Sequence, residues 1–151
     1  VAVIIHIVVP GEPVAQARAR YSAQAGFVRA YDPKKSAQYK KYIITLANQK
    51  KCKPLEGPLV MMVDVFRSVP KSWSMKKQQQ AILGFIKPIS KPDCSNYLKG
   101  IEDALNGIAY HDDSQLVLVI VRKKYSAEPR VEIRVWEDTD ENNSKYYEGA
   151  R

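Results

Sequence analysis

Residues 116–136 carry the pattern that most restricts what this chain can fold into. Leu116–Tyr125 is dense in Val, Leu and Ile, Ala127–Arg130 supplies turn residues, and in Val131–Trp136 the apolar Val131, Ile133 and Val135 alternate with Glu132, Arg134 and Trp136. A period of two puts successive side chains on opposite faces of a strand. The stretch therefore predicts a terminal β-hairpin with one buried face.

The other elements are read against that hairpin. Ala2–Val9 is a continuous Val/Ile-rich run, predicting a buried strand that ends at Pro10-Gly11-Glu12-Pro13. Residues 14–31 hold Arg18, Arg20, Tyr21, Phe27, Arg29 and Tyr31 around Gly26, compatible with a hairpin or an ordered basic loop. Pro33 opens a helical pattern to about Lys51, with Tyr39, Tyr42, Ile43 and Leu46 along it. Leu59–Phe66 predicts a second strand. Ser74 is placed to cap a short helix running towards Phe85, and Pro88 and Pro92 hold the following link extended. Leu98, Ile101 and Leu105 form one apolar stripe of a third helix, stopped by Asn106-Gly107. The sum is an α/β (α+β) domain with a small mixed sheet of four to five strands and helices packed on it.

The 151 residues suffice for one domain, and the 45% apolar content supports a packed core. Residues 1–137 are expected to form it, and the acidic, polar tail 138–151 is expected to fray. No apolar run approaches the roughly 20 residues that span a bilayer, and Val1–Val9 lacks the features of a signal peptide. A cytoplasmic protein with no membrane partner is expected. Cys52 and Cys94 share no metal-ligand spacing with each other or with His6 and His111, which argues against structural zinc and for reduced thiols.

The net charge of +8 is unevenly placed. Ala15–Lys53 holds ten Lys or Arg against the single acid Asp32, and Val65–Pro92 holds six with no acid. A basic body of this kind attracts a polyanion, and nucleic acid is the commonest one. Arg18, Arg20, Lys71, Lys76, Lys77 and Lys91 are candidate phosphate contacts because of the clusters they sit in. A merely soluble basic surface would have the same composition.

Two acidic sites flank the third helix: Asp93 before its first turn, with Ser95 close by, and Asp112-Asp113 beyond its end. If the returning strand brings them together, their oxygens suit a hard cation such as Mg²⁺, which keeps waters and leaves room for a phosphate oxygen. Lys99 falls on the same helical side as Ser95 and could stabilise a developing negative charge. Each residue also has a bland reading. Asp93 and Ser95 are ordinary capping types, Asp112-Asp113 an ordinary loop, Lys99 a solvated lysine. Ser/His catalysis is disfavoured, because only His111 is available as a base and no nucleophile elbow is present.

The order Lys91-Pro92-Asp93-x-Ser95-Asn96-x-x-Lys99, then Asp103-Ala104-Leu105-Asn106-Gly107, then Asp112-Asp113-Ser114-Gln115 resembles the signature of RusA-type Holliday junction resolvases. The family's usual pattern is K-P-D-x-D-N-L-x-K, D-A-L-N-G and D-D-x-Q. Pro10-Gly11-Glu12-Pro13, Pro70-Lys71-Ser72-Trp73-Ser74 and the terminal strands extend the likeness over most of residues 3–137. The resemblance implies a homodimeric nuclease of recombination and repair, often phage-encoded, that cuts four-way DNA junctions with Mg²⁺ or Mn²⁺ and needs no small-molecule cofactor. By position it implies Asp93, Ser95 and Asp113 at the metal, Asp112 as a neighbour, and Lys99 as a supporting group. Two symmetric cuts suit a two-fold dimer.

The departure is Ser95, a neutral hydroxyl where the family usually has a second aspartate. It leaves open a tolerated natural change, an inactivating one, or a junction-binding protein that cuts poorly. A basic RNA-binding module, stacking bases on Tyr21, Phe27 and Tyr31, is a further alternative.

Overall fold

The computed structural model of the chain describes residues 4–17, 19–21, 28–30 and 33–147. In chain order the elements are β1 (Ile4–Pro10), β2 (Ala19–Tyr21), β3 (Val28–Ala30), α1 (Pro33–Gln49), β4 (Leu59–Ser68), α2 (Met75–Ile82), α3 (Cys94–Leu105), a 3-10 turn (Asp113–Gln115), β5 (Leu116–Ser126), β6 (Arg130–Glu137) and α4 (Asp140–Tyr146). The main sheet has four strands in the order β1-β6-β4-β5, and β2 pairs with β3 in a separate hairpin. This is the expected mixed sheet with helices packed on it.

The terminal hairpin does not form. β5 and β6 are consecutive in the chain, but β4 lies between them, parallel to β5 (Val60↔Leu118 through Ser68↔Ser126) and antiparallel to β6 (Leu59↔Glu137 through Phe66↔Arg130). The reason lies in β4 itself. Leu59–Val65 is buried at every position, so this strand needs cover on both faces and neighbours on both edges, which only a central place supplies. Strands two places apart are separated by roughly 10 Å, a gap that residues 127–129 can cross at about 3.3–3.6 Å per residue.

β1 also departs from expectation. Its apolar run predicts burial on both faces, yet burial alternates along it: Ile5, Ile7 and Val9 are buried while His6 and Val8 are exposed. As an edge strand paired only with β6, it presents one face to solvent.

One sheet face carries the larger core. Ile5, Ile7, Met61, Val63, Val131 and Ile133 meet Ile43 and Ala47 of α1 and Tyr97, Ile101, Ala104 and Leu105 of α3. On the other face Val60, Met62 and Trp136 are covered by Tyr146 and Tyr147. Residues 140–146 of the expected fraying tail are thus a helix. Thr139 caps it, accepting from Asn142 N at 3.1 Å, and Trp136 Nε1 donates to Asn143 Oδ1 at 2.9 Å. The sequence carried the signal in Thr139, a capping residue followed by two acids, and in the tyrosine pair that closes over Trp136.

Asp64 is the one buried carboxylate of the sheet among the described residues. Its oxygens accept from Arg122 Nε (2.7 Å) and Nη2 (3.0 Å), with Lys124 Nζ at 3.8 Å. Breaking a buried ion pair costs about 3–5 kcal/mol, because the remaining charge is left desolvated. Arg122 retains some water contact, so Asp64→Ala is expected to destabilise by an amount near the ~3 kcal/mol end of that range. Urea unfolding measures it. Among the described residues no helix is long and apolar enough to cross a membrane.

Candidate functional site

The β4–α3–β5 crossover positions every acidic residue singled out from the sequence. β4 and β5 run parallel, so α3 returns against them, its first residue at their C-terminal end and its last at their N-terminal end. Asp93 stands at the first end. Its neighbour Pro92 accepts from Lys123 Nζ at 3.1 Å, and Ser90 O accepts from both Arg67 Nη1 (3.0 Å) and Lys123 Nζ (3.1 Å). Asp112 and Asp113 stand at the other end, where Gln115 Nε2 donates to Leu55 O and Gly57 O, each at 3.0 Å. Twelve helical residues separate the two ends by about 18 Å. One chain does not bring Asp93 and Asp113 together.

Asp93 occupies the N-cap of α3 with extended backbone, and its carbonyl accepts from Asn96 N and Tyr97 N. Its carboxylate makes no capping hydrogen bond. Capping therefore does not account for this acid, and the exposed carboxylate is available to a ligand. Ser95, in the first turn of α3, is exposed beside it. Lys99 lies further along and pairs with Asp103 Oδ1 at 3.6 Å, while Lys40 holds Asp103 Oδ2 at 3.5 Å.

The far end is more acidic than the sequence reading indicated, because Glu102 and Asp103 in the last turns of α3 join Asp112 and Asp113. Burial, then the Asp113 charge, push the Glu102 carboxyl above the ordinary glutamate range. The signal for Asp103 was its i,i+4 spacing from Lys99. Nothing in the sequence separated Glu102 from an ordinary surface acid. The two neighbouring aspartates differ. Asp112 caps the 3-10 turn, accepting from Ser114 N at 3.1 Å, and hydrogen bonds from Ser114 hold its carboxyl below the usual range. Gln115 Oε1 accepts from His111 N (2.7 Å) and Asp112 N (3.1 Å), so this one amide pins the turn to residues 55–57. Asp113, half-buried, opens the 3-10 turn that this framework holds, and its charge faces Glu102.

A carboxyl whose pKa is raised on folding favours the native state when protonated, and that contribution is lost as pH rises through its folded value. Glu102→Gln is therefore expected to be at least as stable as the wild type at neutral pH. Its advantage should vanish below the ordinary glutamate range, where both proteins carry a neutral group. Thermal melts at the two pH values test this.

The basic candidates gather at the Asp93 end. Lys71, Lys76, Lys77 and Lys91 are exposed. Lys77 Nζ sits 4.1 Å over the Trp73 ring, which packs edge-on against Tyr125 at 5.5 Å. Arg18, Phe27 and Tyr31 lie outside the described residues, as do the side chains of Arg20 and Tyr21. Among the described residues no three His, Cys, Asp or Glu side chains come close enough to hold a metal ion.

A mixed α+β domain that presents exposed lysines and an exposed carboxylate at one end of its sheet has the kind of charge that attracts a polyanion. The family is settled by comparison: residues 10–136 match the model of Endodeoxyribonuclease RusA, and the chain belongs to that family. It is also similar to a protein of Bacillus subtilis (strain 168) named Uncharacterized protein YqaN, 46% identical over 136 residues, covering 88% of this chain and 96% of that one. Membership implies an endonuclease that binds branched DNA and resolves Holliday junctions.

Proposed function

We propose that this chain resolves four-way junctions as a homodimer in which each cutting site draws on both protomers. What supports the reading is the placement of its acids, Asp93 at one end of α3 and Asp113 beyond the other, with a helix about 18 Å long between them. A two-fold partner whose α3 runs antiparallel would bring Asp93 of one protomer to Asp113 of its partner, twice over. Two such sites related by the axis suit two symmetric cuts.

Nucleases of this kind generally use a divalent ion. Here Mg²⁺, with Mn²⁺ as a substitute, is proposed to lie between Asp93 and the partner's Asp113, with Ser95 and Asp112 as neighbouring oxygens. Such an ion supplies charge neutralisation at the phosphoryl group. Lys99, steered by Asp103, is a cation for the charge that develops there. Lys71, Lys76, Lys77 and Lys91, with Arg18 and Arg20, position the DNA backbone without reading sequence. The reading puts the protein in the cytoplasm, on bacterial or phage DNA undergoing recombination or repair.

Ser95 favours one second reading, a protein that binds junctions without cutting them. A labelled four-way junction with Mg²⁺ separates the two. Paired nicks by the wild type, reduced by roughly 10²-fold or more in Asp113→Asn, support the nuclease, since loss of an ion ligand removes several kcal/mol of transition-state stabilisation. Tight binding with no cleavage by the wild type or by Ser95→Asp supports the binder.

A further inference from the structure

We propose that the outer edge of β5, together with the apolar surface of α2 and the link that follows it, is where two copies of this chain pair. The inference deepens the dimeric reading above and rests on it only for the shared cutting site.

β5 ends the sheet, and among the described residues no strand pairs with its outer edge. Eleven residues long, it opens with Leu116-Val117-Leu118-Val119-Ile120. Long apolar edges recruit further strands, and native proteins usually shorten, charge or cover them. Near this edge lie two apolar groups that water should not face. Val117 is 59% exposed and Leu118 36%, at the N-terminal end of β5. Leu83, Phe85 and Ile89 are 71%, 80% and 96% exposed, in the link from α2 to α3. That link reaches the C-terminal end of β5, where Ser90 O accepts from Lys123 Nζ. From Val117 to Lys123 is roughly 20 Å along the strand. Neither group can cover the other within one chain.

A two-fold axis just outside the edge of β5 at the level of Leu118, normal to the sheet, changes this. It sets the two β5 strands antiparallel and brings the Leu83–Ile89 group of each protomer towards Val117 and Leu118 of the other, the self-complementary arrangement that such an axis demands. Charge agrees with the same operation. Each β5 has Asp112 and Asp113 before its first residue and Arg122, Lys123 and Lys124 near its last, so antiparallel strands face base to acid where parallel ones would face like to like. The axis also keeps both α3 helices on one face, antiparallel, at the roughly 10 Å spacing of packed helices. Asp93 of each then lies towards the acidic end of its partner's α3.

Sedimentation equilibrium of the full chain tests the surface. The wild type is expected to be a dimer at micromolar concentration. Phe85→Asp and Val117→Lys, introduced separately, are each expected to raise the dimer dissociation constant by about 30-fold or more, the effect of a central interface residue. Val8→Lys, on the opposite sheet edge, should leave it unchanged. Unaltered circular dichroism identifies dissociation without unfolding. A monomeric wild type, or a dimer weakened by Val8→Lys and indifferent to the other two, overturns the proposal. A protein that cuts junctions but whose dimer ignores Phe85→Asp and Val117→Lys removes this interface alone. A dimer that depends on both residues but never cuts keeps the interface and removes the nuclease.

Discussion

Mixing Asp93→Asn protein with Asp113→Asn protein is expected to restore junction nicking that neither shows alone. If each site takes Asp93 from one protomer and Asp113 from the other, a mixed dimer has one site missing both and one site intact. At equal mixing half the dimers are mixed, so about one quarter of the wild-type number of sites returns, as single nicks without the paired second cut. If both acids instead served a site within one protomer, every site in every dimer would lack one acid and mixing would restore nothing. Misfolding does not imitate the result. Asp93 makes no capping hydrogen bond, so Asp93→Asn forfeits none of the ~1 kcal/mol that a working N-cap contributes. The readout is the ratio of nicked to resolved junction in denaturing and native gels, after the two proteins have been given time to exchange subunits.

The second large effect is on salt. Binding that neutralises six to ten phosphates loses about 10³–10⁵ in affinity between 50 and 200 mM salt, because condensed counterions are released on association. A protein with Lys71, Lys76, Lys77 and Lys91 exposed around Asp93 is expected to fall in that range. Each lysine changed to alanine should lower the slope of log affinity against log salt by about 0.9 for each contact it makes. Binding should weaken alike on junctions of different sequence, as phosphate contacts carry no base information. Lys77→Ala also uncovers the Trp73 ring. Comparison with Lys76→Ala separates the two contributions, since both lysines lie in the first turn of α2. A flat salt response in the wild type would remove this surface as the DNA face.

Helices α1, α2 and α3 were legible because their signals are local, whereas α4 was hidden in a polar tail. Ser74 does cap α2, its hydroxyl accepting from Lys77 N at 3.2 Å. The stripe of Ile101 and Leu105 does face the core. Gly107 takes the left-handed backbone, φ +81°, expected of a helix stop. The site was legible as a set of residue types in order, since spacing on a helix and a turn follows from the chain alone. Its assembly was not. Residues 93 and 113 are joined by a helix, and whether they meet depends on which way the next strand runs.

The strands show where that limit lies. Periodicity located all four strands of the sheet, because alternation and apolar runs are properties of neighbouring residues. It could not say which strand lies beside which. The short turn at 127–129 argued for pairing β5 with β6, and β4, buried at every position from Leu59 to Val65, displaced that pairing by its need for cover on both faces. From the sequence alone came the four strands of the main sheet, the first three long helices, the uneven basic charge and the acids Asp93, Asp112 and Asp113. Only the tertiary structure decided that β5 runs parallel to β4 and ends the sheet. That choice parts the two acids within one chain, because a parallel crossover must return from the C-terminal end of β4 to the start of β5, with α3 lying between Asp93 and Asp113.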